Sequence, residues 1–122
     1  MMTRASIPAL ASLLLLTATG CGGYPPPNDH VAIAEASIRG AMEAGATETD
    51  VPRAQLHLRL AQEQTEKARR LMNDGDNEKA EYALRRAEAD AELATAIARE
   101  HQVIERANAA KQTLAQLKAS PR

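Results

Sequence analysis

The chain has 122 residues, a formal net charge of −1 at pH 7, two tyrosines, and no phenylalanine or tryptophan. That length holds one small domain, and the near-zero charge gives no pull toward nucleic acid. A single cysteine rules out an internal disulfide and cannot build a zinc site alone, and without large aromatics any core must come from close contact along helices.

Residues 1–20 read as a secretory signal peptide. Arg4 supplies the positive start, and the apolar run from Ile7 to Ala18 is too short to cross a bilayer. The lone cysteine closes this element. Ala18, Thr19, Gly20 and Cys21 resemble the bacterial lipobox, with Ala18 where that pattern prefers leucine. The resemblance implies cleavage before Cys21 and a thioether-linked diacylglycerol on its sulfur, with acyl chains such as palmitate. It therefore makes Cys21 a lipidation site and the membrane a partner through that anchor. Each buried CH₂ contributes about 0.8 kcal/mol. Gly22 stands where aspartate marks retention in the inner membrane, so the expected location is the bacterial cell envelope, lipid-anchored at the outer membrane and facing the periplasm. Residues 21–29, with Gly22, Gly23 and Pro25–Pro27, read as a lipidated cysteine followed by an extended spacer.

Residues 30–118 predict an all-α domain: an antiparallel helical hairpin joined by a shorter N-terminal helix into a three-helix bundle, with a long C-terminal helix and a tail at 119–122. The first helix is expected over Val31–Ala44, capped by Asn28 or Asp29 and ended by Gly45. Ile33 or Ala34, Ile38, Ala41 and Met42 form its apolar face, and Glu35 pairs with Arg39. The second is expected over Val51–Met72, with Asp50 as cap and Pro52 in the first turn. Its seam is Leu58, Ala61, Thr65, Ala68 and Met72, widened by Leu56, Leu60 and Leu71, with surface pairs Glu63–Lys67 and Glu66–Arg70. Asn73–Asp76 forms a tight turn with Gly75 in the left-handed position. The third helix, Asn77–Lys118, carries a small-residue seam from Ala80 through Ala83 or Leu84, Ala87, Ala91 and Ala94 to Ala98. That pattern lets a partner helix approach closely, as in a coiled coil.

No residues converge on chemistry. His57 is expected opposite about Glu92, and His101 lies roughly 13 Å further along the helix, so the two cannot share a metal. Glu88, Asp90 and Glu92, and the run Lys67–Arg70, read as solvated faces. No catalytic residue, metal site, cofactor or small-molecule substrate is indicated, and no enzyme is expected.

The segment from Ala68 to Glu88 resembles a tetratricopeptide hairpin superficially, but the 34-residue repeat and its aromatic signature are missing. A closer resemblance rests on the stretch from Gly45 to Ala61 and on Gly75 to Ala98. These resemble an envelope lipoprotein family catalogued as domain of unknown function 4398. Its members look like short helical bundles behind a lipoprotein signal, some followed by an OmpA-like wall-binding domain, for which this chain has no matching segment. The resemblance brings no catalytic residues.

The end of the third helix has no obvious cover. Ile104, Ala107, Leu114 and Leu117 fall on roughly one face, with Arg106, Lys111, Lys118 and Arg122 outnumbering Glu105. Two outcomes are open: the last turns fray, or the stripe docks on a partner helix or a second copy. The function expected is a non-enzymatic, membrane-anchored envelope lipoprotein, a helical adaptor or spacer that binds another envelope component or itself. The alternative is a periplasmic, chaperone-like helical binder of unfolded protein or cations.

Overall fold

The computed structural model describes residues 23–120. They form three helices: α1 over Asn28–Glu43, α2 over Pro52–Asn73 and α3 over Asn77–Ala119. Cys21 and the rest of the signal segment lie outside the described residues.

Two corners set the topology. At each, a glycine takes a left-handed conformation, φ 89° at Gly45 and φ 81° at Gly75. After α1 the Gly45 amide donates to the Met42 carbonyl and the Ala46 amide to the Ala41 carbonyl, both at 3.0 Å. After α2 the Gly75 amide donates to Met72 at 3.1 Å and the Asp76 amide to Leu71 at 2.8 Å. This paired pattern satisfies the last carbonyls of each helix and reverses the chain. A Cβ on Gly45 would stand 2.8 Å from Glu48 Oε1, whereas one on Gly75 would meet nothing within 4 Å. Both corners disfavour a side chain through φ, and at Gly45 an added Cβ would also have to displace the flexible end of the exposed Glu48.

The helix starts depart from the sequence expectation. Asn28 and Asp29 are the first helical residues rather than caps, and Pro27 holds the cap position with no side-chain hydrogen bond. Asp50 does not cap α2 either; Val51 precedes the helix and Pro52 opens it. The Asp50 carboxylate is drawn instead to His101, 3.0 Å away on α3. Asp76 sits at the start of α3 as expected, but its carboxylate accepts from Lys79 at 2.9 Å and not from a backbone amide.

α2 and α3 form the antiparallel hairpin, and α1 folds back mainly onto α3. Twelve of the sixteen buried hydrophobic residues among those described are alanine. With so little side chain between them, the helices gain stability from close backbone approach and from dispersion along the seam. Near the Gly45 corner, Ala41, Ala46, Val51, Ala54, Leu58, Ala94, Ile97 and Ala98 pack together. Near the Gly75 corner, Ala34, Ala68, Ala80, Ala83, Leu84 and Ala87 do the same. Leu84 is the largest side chain fully buried. The expected seams of α2 and α3 are in place, except that Met72 is only partly buried. On α1 the buried line is Ala34 and Ala41 with Ile38 partly covered, while Ile33 and Met42 are exposed. Leu56 also faces outward, at the edge of the α2 seam.

The surface pairs differ from those expected, one by crossing between helices and one by choosing the other neighbour within its helix. Glu35 bonds Arg69 of α2 rather than Arg39, which ties α1 to the hairpin. Glu63 lies 3.7 Å from Arg59, one turn earlier, rather than against Lys67.

Candidate functional site

The bundle ends where α3 passes the α1–α2 loop. Two side chains of α3 make the last contacts: His101 with Asp50, and Gln102, whose amide nitrogen donates to the Ala44 carbonyl at 3.1 Å. The loop itself is braced by Gln55, which donates to the Thr47 and Glu48 carbonyls at 3.0 and 2.9 Å. Beyond Gln102 nothing covers α3. Every residue from Val103 to Ser120 is exposed, and the helix runs on to Ala119. At 1.5 Å per residue this arm projects about 25 Å past the bundle. It is rich in alanine, which holds helix with little help from packing.

The arm is not the stump of a longer bundle. Stepping the buried seam of α3 forward by sevens from Ala91, Ala94 and Ala98 leads to Glu105, Asn108 and Gln112. Those residues are polar, so the bundle seam stops by design of the sequence. The apolar line of the arm is a different one: Val103, Ala107, Ala110, Leu114 and Leu117, spaced alternately by four and three. At about 100° per residue these five fall within roughly 80° of each other, on the side of α3 opposite the seam. Stepped backward, the line meets Ala96, Ala89 and Leu93, which are all exposed on the bundle's outer surface. The structure therefore brings Ala107, Leu114 and Leu117 together as the sequence suggested. Ile104 stands at the edge of the stripe, over a shallow depression at the bundle end shared with Pro52, Arg53, Ile97 and His101. Val103, 62% exposed, was missed by sequence reasoning, although its seven-residue spacing to Ala110 and Leu117 carried the signal.

The opposite end of the molecule holds a polar knot. The segment expected as a free spacer turns in at Tyr24. Its hydroxyl donates to the Glu81 carboxylate, and its carbonyl accepts from the Asn77 side chain at 2.8 Å. Glu81 also accepts from Arg85 Nε at 2.8 Å and lies 3.6 Å from His30. Pro27 is buried beneath. The hydrogen bonds from Tyr24 and then Arg85 hold the Glu81 carboxyl below its usual range. The same contact with Glu81 raises the Tyr24 hydroxyl above its usual range. Residues that looked unrelated in sequence thus fix the N-terminal strap at the start of α3.

The three histidines are dispersed. His57 Nδ1 lies 2.9 Å from Asp90, two residues nearer the turn than the expected Glu92, which puts the pivot of the hairpin near Asp74. Among the described residues no group of three or more His, Cys, Asp or Glu side chains is placed to hold a metal ion. No described helix is long and apolar enough to cross a membrane.

A family model for a domain of unknown function, DUF4398, matches residues 29–110. The chain belongs to this family. The matched span takes in α2 whole, nearly all of α1, and α3 as far as Ala110 in the arm. It thus includes both glycine corners and the alanine seam, while Leu114 and Leu117 lie past it. No curated protein and no solved structure matches the chain.

Proposed function

We propose that this protein is a non-enzymatic, lipid-anchored adaptor of the bacterial envelope, whose bundle holds the arm of α3 out toward a partner. The observation that carries this reading is the arm itself: a helix that outruns its bundle with an uncovered apolar stripe on a face the bundle does not use. The N-terminal strap supports it. Cys21, the residue proposed to carry lipid, precedes Tyr24 by three residues, a reach of about 11 Å at most. Tyr24 is fastened at Glu81, and the tip of the arm lies about 57 Å further along the helix axis from there. The Tyr24 strap and the arm are at opposite ends, which supports a bundle acting as a strut between a lipid anchor on Cys21 and the arm. Gly22 after the cysteine favours the outer membrane, with the arm in the periplasm.

Truncation after Ala107 tests the adaptor role. The bundle should melt within a few degrees of the intact chain, while crosslinked complexes recovered from membranes should disappear. Complexes that survive truncation would place the binding surface elsewhere. The anchor has its own test. Intact mass should show diacylglycerol on Cys21, and Cys21→Ala should release the protein from membranes; a free thiol in the mature wild type would contradict the anchor.

A further inference from the structure

The charges around the arm's stripe define what can cover it. Arg106, Lys111 and Lys118 lie along its two borders, each within about 80° of the stripe's centre, while Glu105 is about 160° away on the far side. At the root of the arm Arg99 and Glu100 offset each other. The stripe is thus an apolar line of 4,3 spacing whose charged borders over its free length are all cations, with Thr113 the neutral polar residue beside them. Ala107 and Ala110 leave a low stretch where large side chains can enter, followed by the raised Leu114 and Leu117.

Resting on the adaptor reading, we infer that the arm binds an amphipathic α-helix of another protein, one whose own apolar line is bordered by aspartate and glutamate. The alternate spacing by four and three is what a left-handed helix pair requires, and border charges of opposite sign choose the partner. A second copy of this chain fits poorly. A parallel pair would set Arg106 of one arm against Lys111 of the other, and an antiparallel pair would bring lysine against lysine. A lipid surface fits poorly as well. The arm has no aromatic residue to seat at a lipid interface, and it leaves the bundle at the end remote from the Tyr24 strap.

The test uses the full-length chain in a zwitterionic detergent and two labelled helical peptides with identical leucine lines, one bordered by glutamate and one by lysine. Fluorescence anisotropy should show the glutamate peptide binding tighter by roughly tenfold or more, with affinity falling as salt rises. Leu114→Asp should abolish that binding without moving the melting temperature. The double variant Lys111→Glu, Lys118→Glu should lose the glutamate peptide and gain the lysine one. Gln112→Glu, on the opposite face, should change little. Equal binding of the two peptides, binding of neither, or glutamate-peptide binding that Leu114→Asp leaves intact would overturn the inference. So would a dimer in sedimentation that Leu114→Asp dissolves, or arm-dependent binding to anionic vesicles in preference to the peptide. Membrane crosslinking through the arm alongside failure of the peptides would overturn the partner chemistry while leaving the adaptor reading in place. Loss of both would end it.

Discussion

The two halves of α3 share one unbroken helix and a high alanine content, yet they follow opposite rules. From Ala80 to Ala98 the small residues face inward, and α1 and α2 cover them. From Val103 to Leu117 the apolar line of Val103, Ala107, Ala110, Leu114 and Leu117 faces outward, and the inward side carries Glu105, Asn108 and Gln112 with only Ala109 and Ala115 beside them. The difference shows that alanine content decides helix, whereas the phase of the apolar line decides what the helix touches. A change of phase inside one helix lets a single element serve as core at one end and as contact surface at the other.

Substitutions sharpen that contrast, beginning with the seam. Leu84→Ala removes the one large side chain fully buried among the described residues and should cost about 2–5 kcal/mol. For a bundle of this size each kcal/mol lowers the melting temperature by about 4–8 °C, which calorimetry will read. Ala91→Leu should cost about 1–3 kcal/mol, because Ala91 is 0% exposed and added methylenes force the helices apart. If Ala91→Leu left the melting temperature unchanged, close approach of the helices would not be the source of stability. The corners come next. Gly75→Val should cost about 1 kcal/mol or more through backbone conformation. Gly45→Val should cost slightly more than Gly75→Val, since its Cβ also crowds Gln102, whose side chain bonds the Ala44 carbonyl. Equal losses at the two corners would break that distinction. In the arm, Leu114→Asp should leave the stability of the bundle within about 0.5 kcal/mol of wild type, as exposed sites do.

Much of the bundle was legible from the chain alone because its signals are local. Glycine at each corner, proline at the start of α2 and the alanine seam each mark a position without reference to any other helix. The N-terminal caps expected for α1 and α2 are not formed, and Asp76 holds the cap position of α3 without bonding a backbone amide, for a related reason. Asp76 has the right type and place and Asp50 the right type one residue too early, but Lys79 and His101 take their carboxylates, and His101 is fifty-one residues away from Asp50 in sequence. Glu35 repeats the lesson, since Arg69 across the helix interface displaces the expected Arg39. The Tyr24 strap could not be read at all. A run of prolines after glycines describes an extended spacer, and nothing local says that Glu81 and Asn77 will stand beside it. In the arm the face was legible and its relation to the bundle was not. That relation needed the burial of Ala91, Ala94 and Ala98 to fix which side of α3 faces in.

The strap gives the smallest expected effect and one that depends on pH. The folded Glu81 carboxyl titrates below its usual value, so its contribution is present above about pH 4–5 and is lost as pH falls through the lowered value. The Tyr24 hydroxyl titrates above its usual value, so its share is present below about pH 10 and is lost as pH rises past the raised value. The ring signals of Tyr24 in NMR spectra should therefore hold steady between about pH 5 and 9 and move at either side. Tyr24→Phe should free the segment from Tyr24 to Pro27 and leave the arm's signals untouched. Movement of the arm's signals would mean that the two ends are coupled, against the picture of a passive strut.

The separation of the two faces of α3 is tested most directly by photocrosslinking in intact cells. A photoreactive residue placed at Leu114 samples the outer stripe, and one placed at Gln112 samples the face in line with the bundle seam. The account predicts a defined crosslinked product from Leu114 and little or none from Gln112. Equal products from the two positions, or a product from Gln112 alone, would contradict it.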